Sequence, residues 1–265
     1  MALISMAVHD TEENNRTELT RRTIESIKPS IKKGGHRLII IDNGSCEATK
    51  ELLRVEYNLA CLPDQRYNLS IITNEENIGT AKAINKGWKF RKPGENVVKM
   101  DNDVVIHDIE WITKLEEAIA REPKIGIIGL KRKDLAEHPN YPEGHHYKSK
   151  ILMLPHTPGE TWIFVEEVKH VMGTCQMYSS ALIDKIGGLY QMDGIYGFDD
   201  SLASVRCTMA GFKNVFLPHI NIDHIDPGVD QYSEWKREYA GEQMELFGKV
   251  KAEYISGERS IYYPL

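Results

Sequence analysis

The chain has 265 residues, 41% hydrophobic and 27% charged, an ordinary globular composition with room for one sizeable core. Its formal net charge is -6 and its basic residues are spread along the chain, so no electrostatic footprint for a nucleic-acid backbone stands out. No apolar run approaches the roughly 20 residues of a membrane span, and the opening MALISMAVHD lacks the basic region, long apolar stretch and cleavage site of a secretory leader.

Cys46, Cys61, Cys175 and Cys207 are scattered, with no Cys-x-x-Cys pair and no zinc spacing, as expected of reduced thiols. A cytoplasmic location, with at most peripheral membrane association, is the expectation.

From the N-terminus, apolar β-type runs alternate with helix-period segments. The strand candidates are LISMAV (3–8), RLIIID (37–42), LSIIT (69–73), VVKMD (97–101) and IGIIGL (125–130). The intervening helices fall at 17–27, 47–57, 79–90 and 109–120, and Asn15 followed by Glu18 has the form of a capping box for the first. Such a series predicts an α/β fold with a mostly parallel sheet flanked by helices, and ligands at the carboxyl ends of the strands. His9 and Asp10, Asp42, and Asp101 to Asp103 would all reach that edge.

Residues 131–160 break the pattern with proline, histidine and charge, and read as a lid or acceptor loop. His138, His145, His146 and His156 within it have no metal-site spacing. An apolar stretch (161–179), short helices at ALIDKIGG and DDSLASVRCTMAG, and a strand pair across VFLPHINIDHI (215–225) follow. The tail from Asp230 carries Tyr232, Trp235, Tyr239, Leu246 and Val250 at roughly helical spacing, a stripe that either packs on its own domain or forms a homo-oligomer contact. The expected division is a catalytic domain over 1–229 and a helical extension over 230–265.

Asp101-Asn102-Asp103 is the only Asp-x-Asp in the chain. Two carboxylates one residue apart at a strand end can share a hard divalent cation and present it to phosphate oxygens; on spacing alone, a solvated turn explains them equally well. Upstream, NEENIGTAKAINKGW (74–88) marks a turn entering a helix, whose free N–H groups can receive a phosphate. Downstream, Asp199 and Asp200 follow a glycine-containing turn at a helix start, as caps or as a general base. His224 ends a strand, where a neutral imidazole can join a metal.

In this order the motifs IIIDNGS (39–45), NIGTAKAINKG (77–87), VVKMDNDVVI (97–106), GTCQMYSSALIDKIGGL (173–189), GIYGFDDSLASVRCTMAGFKNVFLP (194–218) and INIDHI (220–225) resemble the family 2 glycosyltransferases of GT-A fold, which are nucleotide-sugar-dependent and inverting. The resemblance implies a mixed, Rossmann-like sheet and places Val8, His9 and Asp42 at the nucleotide base and ribose. Asn77, Gly79 and Asn85 would flank the donor. Asp101 would touch ribose or sugar and, with Asp103 and His224, hold Mn2+ or Mg2+. Gly173 and Thr174 match a loop beside the donor sugar, Asp200 or else Asp199 the base, and Arg206 a residue holding either the diphosphate or the fold.

The implied donor is a nucleotide-diphosphate sugar; the acceptor class spans glycan, lipid-linked sugar, protein, metabolite and modified nucleobase. The chain departs from the family in FDD for Glu-Asp, in Thr80 for a common lysine, and in AVHD for the usual Pro-Thr-Tyr-Asn. Two rivals remain at this point. Asp-x-Asp-x-Val after an apolar strand is similar to haloacid-dehalogenase-like phosphatases, with Asp101 as nucleophile. A non-catalytic nucleotide-sugar-binding module would keep the fold and lose the base.

Overall fold

The computed structural model describes residues 1–133 and 150–265. The first half resolves into β1 (Leu3–Val8), α1 (Thr17–Gly34), β2 (Arg37–Asn43), α2 (Glu47–Cys61), β3 (Asn68–Asn74), α3 (Thr80–Trp88) and β4 (Val97–Met100). These four strands are parallel, in the spatial order β3-β2-β1-β4. The chain moves outward through β2 and β3, then returns to the far side of β1. The crevice between the ends of β1 and β4 is therefore a topological switch point, where open α/β sheets take their ligands.

Strand alternation sorts the side chains into two core layers. Ile4, Met6 and Val8 join Ile24, Ile27 and Ile31 of α1 and Leu53 of α2, whereas Leu3 joins Ala83, Ile84 and Trp88 of α3 on the opposite face. The buried stripe of α1 is Thr20, Ile24, Ile27 and Ile31, with Leu19 only half-buried. The expected capping box does not form: Arg16 is the N-cap, Asn15 sits at φ 48°, and Glu18 pairs with Arg21. Asn14 closes the entry turn instead, its Oδ1 accepting from the N–H groups of Thr11 and Arg16. Gly87 belongs to α3 rather than to a turn, and a Cβ there would lie 2.3 Å from Ser5 Oγ, so the glycine lets α3 rest directly on β1.

The second half adds β5 (Val104–Ile106), α4 (Trp111–Arg121), β6 (Ile125–Arg132), β7 (Lys150–Met153), β8 (Phe164–Val168), β9 (Cys175–Tyr178), α5 (Ser180–Ile186), α6 (Asp199–Met209), β10 (Lys213–His224), α7 (Gln231–Glu242) and α8 (Met244–Ser256). They extend the sheet to β3-β2-β1-β4-β9-β6-β10-β8-β7, with β5 on β10. Strands β5, β8 and β9 oppose the rest, so the sheet is mixed but mostly unidirectional.

The strand pair expected across 215–225 is one long strand. Its register against β6 shifts between Leu217 and Asn221, around Pro218, which has no N–H to give a ladder. The bend carries Ile222–His224 onto β5, with His224 opposite Val104. Within the expected loop at 131–160, residues 131 and 132 complete β6 and 150–153 form β7 against β8. His138, His145 and His146 lie outside the described residues, and His156 packs on the ring of Trp162.

The tail forms two helices. Tyr232, Trp235 and Tyr239 make a ring ladder on α7, with centroids 5.5 and 5.4 Å apart. Val250 and Tyr254 of α8 pack on Met192 and Leu202. Tyr263 bridges Gly187, and the wholly buried Arg206 donates to the carbonyls of Ile186, Gly188 and Ile261. Among the described residues no helix is long and apolar enough to cross a membrane.

One buried carboxylate ties the N-terminal elements to the end of β4. Asp10 accepts from Thr20 Oγ1 (2.7 Å, α1), Thr49 Oγ1 (3.0 Å, α2) and Asn102 Nδ2 (2.9 Å). Asn102→Ala removes one of these donors and should cost about 1–2 kcal/mol at neutral pH. Burial holds the Asp10 carboxyl above its ordinary value, against the pull of those bonds, so its protonation favours the native state. The deficit of Asn102→Ala should therefore shrink as pH falls through that value, which urea unfolding at neutral and mildly acidic pH reads directly. Arg206→Met, which orphans the Gly188 and Ile261 carbonyls and leaves Ile186 O only Tyr263 N, should cost about 2–4 kcal/mol and raise amide hydrogen exchange across residues 258–265.

Candidate active site

A cavity of about 660 Å³ opens above the ends of β1 and β4. Val8, His9, Asn43 and Asn77 line it from the N-terminal half, Lys99 and Asp101–Asp103 from β4, Met172–Thr174 and Ile195–Asp200 from two loops, and His224, Asp226, Tyr232 and Trp235 from the C-terminal part. The His9 ring is held by Nδ1 at 3.0 Å from Asn43 O.

The three residues after β4 point to three different partners. Asn102 turns away to Asp10 and Thr20. Asp103 faces His224, with Oδ1 3.5 Å from Nε2, and Arg16 Nη1 lies 3.8 Å from its Oδ2. Asp101 faces Lys99, its Oδ1 3.5 Å from Nζ. Burial, with the neighbouring Asp103 and Asp199 carboxylates, pushes the Asp101 carboxyl up to about 6 against the pull of Lys99. For Asp103, burial is outweighed by the bond and charge of His224 and by Lys236, leaving its carboxyl below the ordinary range.

Asp103, His224 and Asp226 offer ligand atoms that all lie within 4.8 Å of one another. The backbone brings this about through the bend in β10, after which Ile225 N donates to Asp103 O at 2.8 Å. Asp103 Oδ1 is buried with only the long 3.5 Å approach of His224 Nε2, an under-satisfied acceptor of the kind a cation would satisfy. Two carboxylates and an imidazole suit Mn2+ or Mg2+. Asp226 is held by Arg16 Nη2 at 2.9 Å and Lys236 Nζ at 2.6 Å. Asp101, expected as a metal ligand, is not in this group; its Oδ1 lies toward Lys99 instead.

At the other pair of carboxylates, Gly197 (φ 104°) and Phe198 (φ 59°) twist the chain into α6. A left-handed phenylalanine is strained, and stacking of its ring on Phe247 at 4.4 Å holds it there. Asp199 Oδ2 lies 3.1 Å from Lys99 Nζ. Asp200 Oδ2 accepts from Gly173 N at 2.9 Å and lies 3.2 Å from His170 Nε2, while its Oδ1 accepts from Ser201 N at 2.7 Å. Burial alone would raise the Asp200 carboxyl, but His170 and Lys99 hold it well below the ordinary range. Burial likewise opposes the charge on Lys99, and the Asp101, Asp199 and Asp200 carboxylates overcome it.

Other expected residues are placed differently. The N–H groups of Ala81 and Lys82 at the start of α3 are taken by Gln191 Oε1, and that of Thr80 by Ile195 O, so this helix end is closed to a phosphate. Asn85 points into the protein, exchanging two 2.8 Å bonds with the backbone of Leu189. Gly79 is the N-cap at φ 90°, where a Cβ would lie 2.7 Å from Gln191 Oε1. Asp42 is buried and accepts from Ser45 N at 2.9 Å; it faces away from the cavity, which Asn43 lines in its place. Asn77 lines the cavity and accepts from Asn43 Nδ2 at 2.7 Å.

Lys99, Arg16, His170 and Asp226 were not anticipated. Lys99 had a readable signal, a lysine inside an otherwise apolar strand two residues before Asp101, and Asp226 stands two residues after His224. Arg16 and His170 had none, since only the fold brings them to the site.

The sequence profile described as Glycosyl transferase family 2 matches residues 14–187, more than half of the chain. The uncharacterised protein y4gI of Sinorhizobium fredii (strain NBRC 101917 / NGR234) is 24% identical over 225 residues, 77% of this chain and 23% of its own length. The mannosyltransferase PcManGT from Pyrobaculum calidifontis, solved with GDP-Man and Mn2+, superposes with a TM-score of 0.65 at 17% identity, over 88% of this chain and 59% of its own. GalNAc-T7, solved with UDP, GalNAc and Mn2+, gives 0.62 at 16% identity, over 85% and 44%. TarS 1-349 of S. aureus gives 0.54 at 16% identity, over 85% and 58%. The chain thus spans a quarter to three fifths of these proteins, with the fold of the GT-A glycosyltransferases. With the motif order, the switch-point cavity and the profile match in agreement, the chain belongs to glycosyl transferase family 2.

Proposed function

We propose that this protein transfers a sugar from a nucleotide-diphosphate sugar to an acceptor hydroxyl, with a divalent cation and with inversion at the anomeric carbon. The observation that carries this reading is the meeting, in one cavity, of the Asp103, His224 and Asp226 group with the Asp199–Asp200 pair. Family membership supports the class of reaction, and the nucleotides and Mn2+ in the solved relatives support the donor and the metal. A phosphatase with Asp101 as nucleophile finds no support in the family match or in the solved relatives.

Asp103, His224 and Asp226 would hold the cation, which when bound supplies positive charge to the diphosphate oxygens. Val8, His9 and Asn77 flank the nucleotide, and Asp101 faces the ribose or sugar. The acceptor hydroxyl gives its proton to Asp200 while its oxygen attacks the anomeric carbon. The bond from that carbon to the diphosphate oxygen breaks, and the diphosphate leaves with the electron pair. Attack from the face opposite the leaving group inverts the centre. Residues 1–229 supply the catalytic carboxylates, and the 230–265 extension completes the cavity wall with Tyr232 and Trp235 of α7.

A thermal-shift panel of GDP- and UDP-sugars and their nucleoside diphosphates, with and without Mn2+, tests the donor. One nucleotide should raise the melting temperature only with metal, and saturation to 100 times its Kd corresponds to about 2.7 kcal/mol. Asp103→Ala should abolish that shift, and Asp226→Asn should weaken the Mn2+ dependence of binding. Asp200→Asn should keep nucleotide binding and lower turnover by about 10²–10⁴-fold. If Asp199→Asn gives that loss and Asp200→Asn does not, the base is Asp199.

A further inference from the structure

The two adjacent aspartates have unlike surroundings: Asp199 faces a buried lysine, whereas Asp200 faces His170 and the N–H groups of Gly173 and Ser201. Lys99 projects from β4, a strand buried along its whole length, and is itself 4% exposed. Its ammonium lies 3.1 Å from Asp199 Oδ2 and 3.5 Å from Asp101 Oδ1, and donates to Gly173 O at 3.2 Å. The same glycine donates its N–H to Asp200 Oδ2 at 2.9 Å. A Cβ on residue 173 would lie 2.5 Å from Lys99 Nζ and 3.3 Å from Asp200 Oδ2, so the three groups meet only because that position has no side chain.

We propose that Lys99 is a positioning residue that divides the work between the aspartates: it fixes Asp199 as its counter-ion and, through Gly173, orients Asp200 to receive the acceptor proton. A buried carboxylate without its cation is costly, so loss of the ammonium frees Asp199 to compete for the same hydroxyl and releases the loop that aims Asp200. The inference rests on the glycosyl-transfer reading above.

Hydrolysis of the donor tests it without an identified acceptor. Water then takes the acceptor's place: its proton passes to Asp200, its oxygen bonds to the anomeric carbon, and the nucleoside diphosphate departs with the electrons of the broken bond. The full chain is assayed with Mn2+ and UDP- and GDP-sugars, following nucleoside diphosphate release and, separately, nucleoside diphosphate affinity.

Lys99→Met should lower kcat about 10²-fold, while the KM for the donor and the affinity for the nucleoside diphosphate stay within about threefold, a split that loss of core packing alone would not produce. Lys99→Arg should recover part of the loss. Lys99→Met with Asp199→Asn removes the closer ion pair together and leaves only Asp101, which is open to the cavity, without the lysine; it keeps the fold if the single variant does not, and should turn over as slowly as Lys99→Met because Gly173 is still untethered. An unchanged kcat in Lys99→Met or in the double variant, or a loss confined to KM, overturns the proposal. Failure of the underlying reading looks different: the unmodified chain itself then shows no Mn2+-dependent nucleotide binding and no release from either class of donor.

Discussion

Carboxylates crowded at the ends of parallel strands repel one another, and each loses solvation as the sheet closes over it. This chain gathers Asp101, Asp103, Asp199, Asp200 and Asp226 in that position and holds them with Lys99, Arg16 and Lys236 and with the His170 and His224 rings, while Asp10 beside them takes neutral donors. Arg16 and Lys99 are themselves buried, and buried charges persist only when paired and hydrogen-bonded. Much of the local architecture follows from that requirement.

The requirement also gives the pattern Asp-Asn-Asp a physical account. Each residue leaves β4 toward a different body of the protein: Asp101 toward the lysine of its own strand, Asn102 toward Asp10 beneath α1 and α2, and Asp103 toward the bend of β10. The middle residue is a tether to the N-terminal half. An amide suits it because it faces a buried carboxylate, and a third acid there would add repulsion where a donor is needed.

Much of the fold was legible because its signals are local. Strand periodicity, helix periodicity and their alternation identify β1 to β4 and β6 nearly to the residue, though not the short β5, and they imply a mostly parallel sheet. Signals that depend on a distant partner were misread. Gly79 is small at a helix start and Asn85 polar further along it, as a phosphate site would be, yet Gln191 and Leu189, more than a hundred residues later, consume the N–H groups of Ala81 and Lys82 and the Asn85 amide. The strand expected to end at Asp42 runs one residue further, and because side chains alternate along it, Asn43 faces the cavity.

By itself, then, the sequence determined the class of fold, the edge at which the cavity opens, and the two acidic stretches that reach it, because these depend on period, strand length and motif order. Tertiary structure alone decided which acids share a cation. That choice depends on the bend around Pro218, which brings His224 and Asp226 to Asp103, and on a lysine whose partners come from three separate segments. Distances between such segments are set by packing of the whole sheet, and no local spacing encodes them.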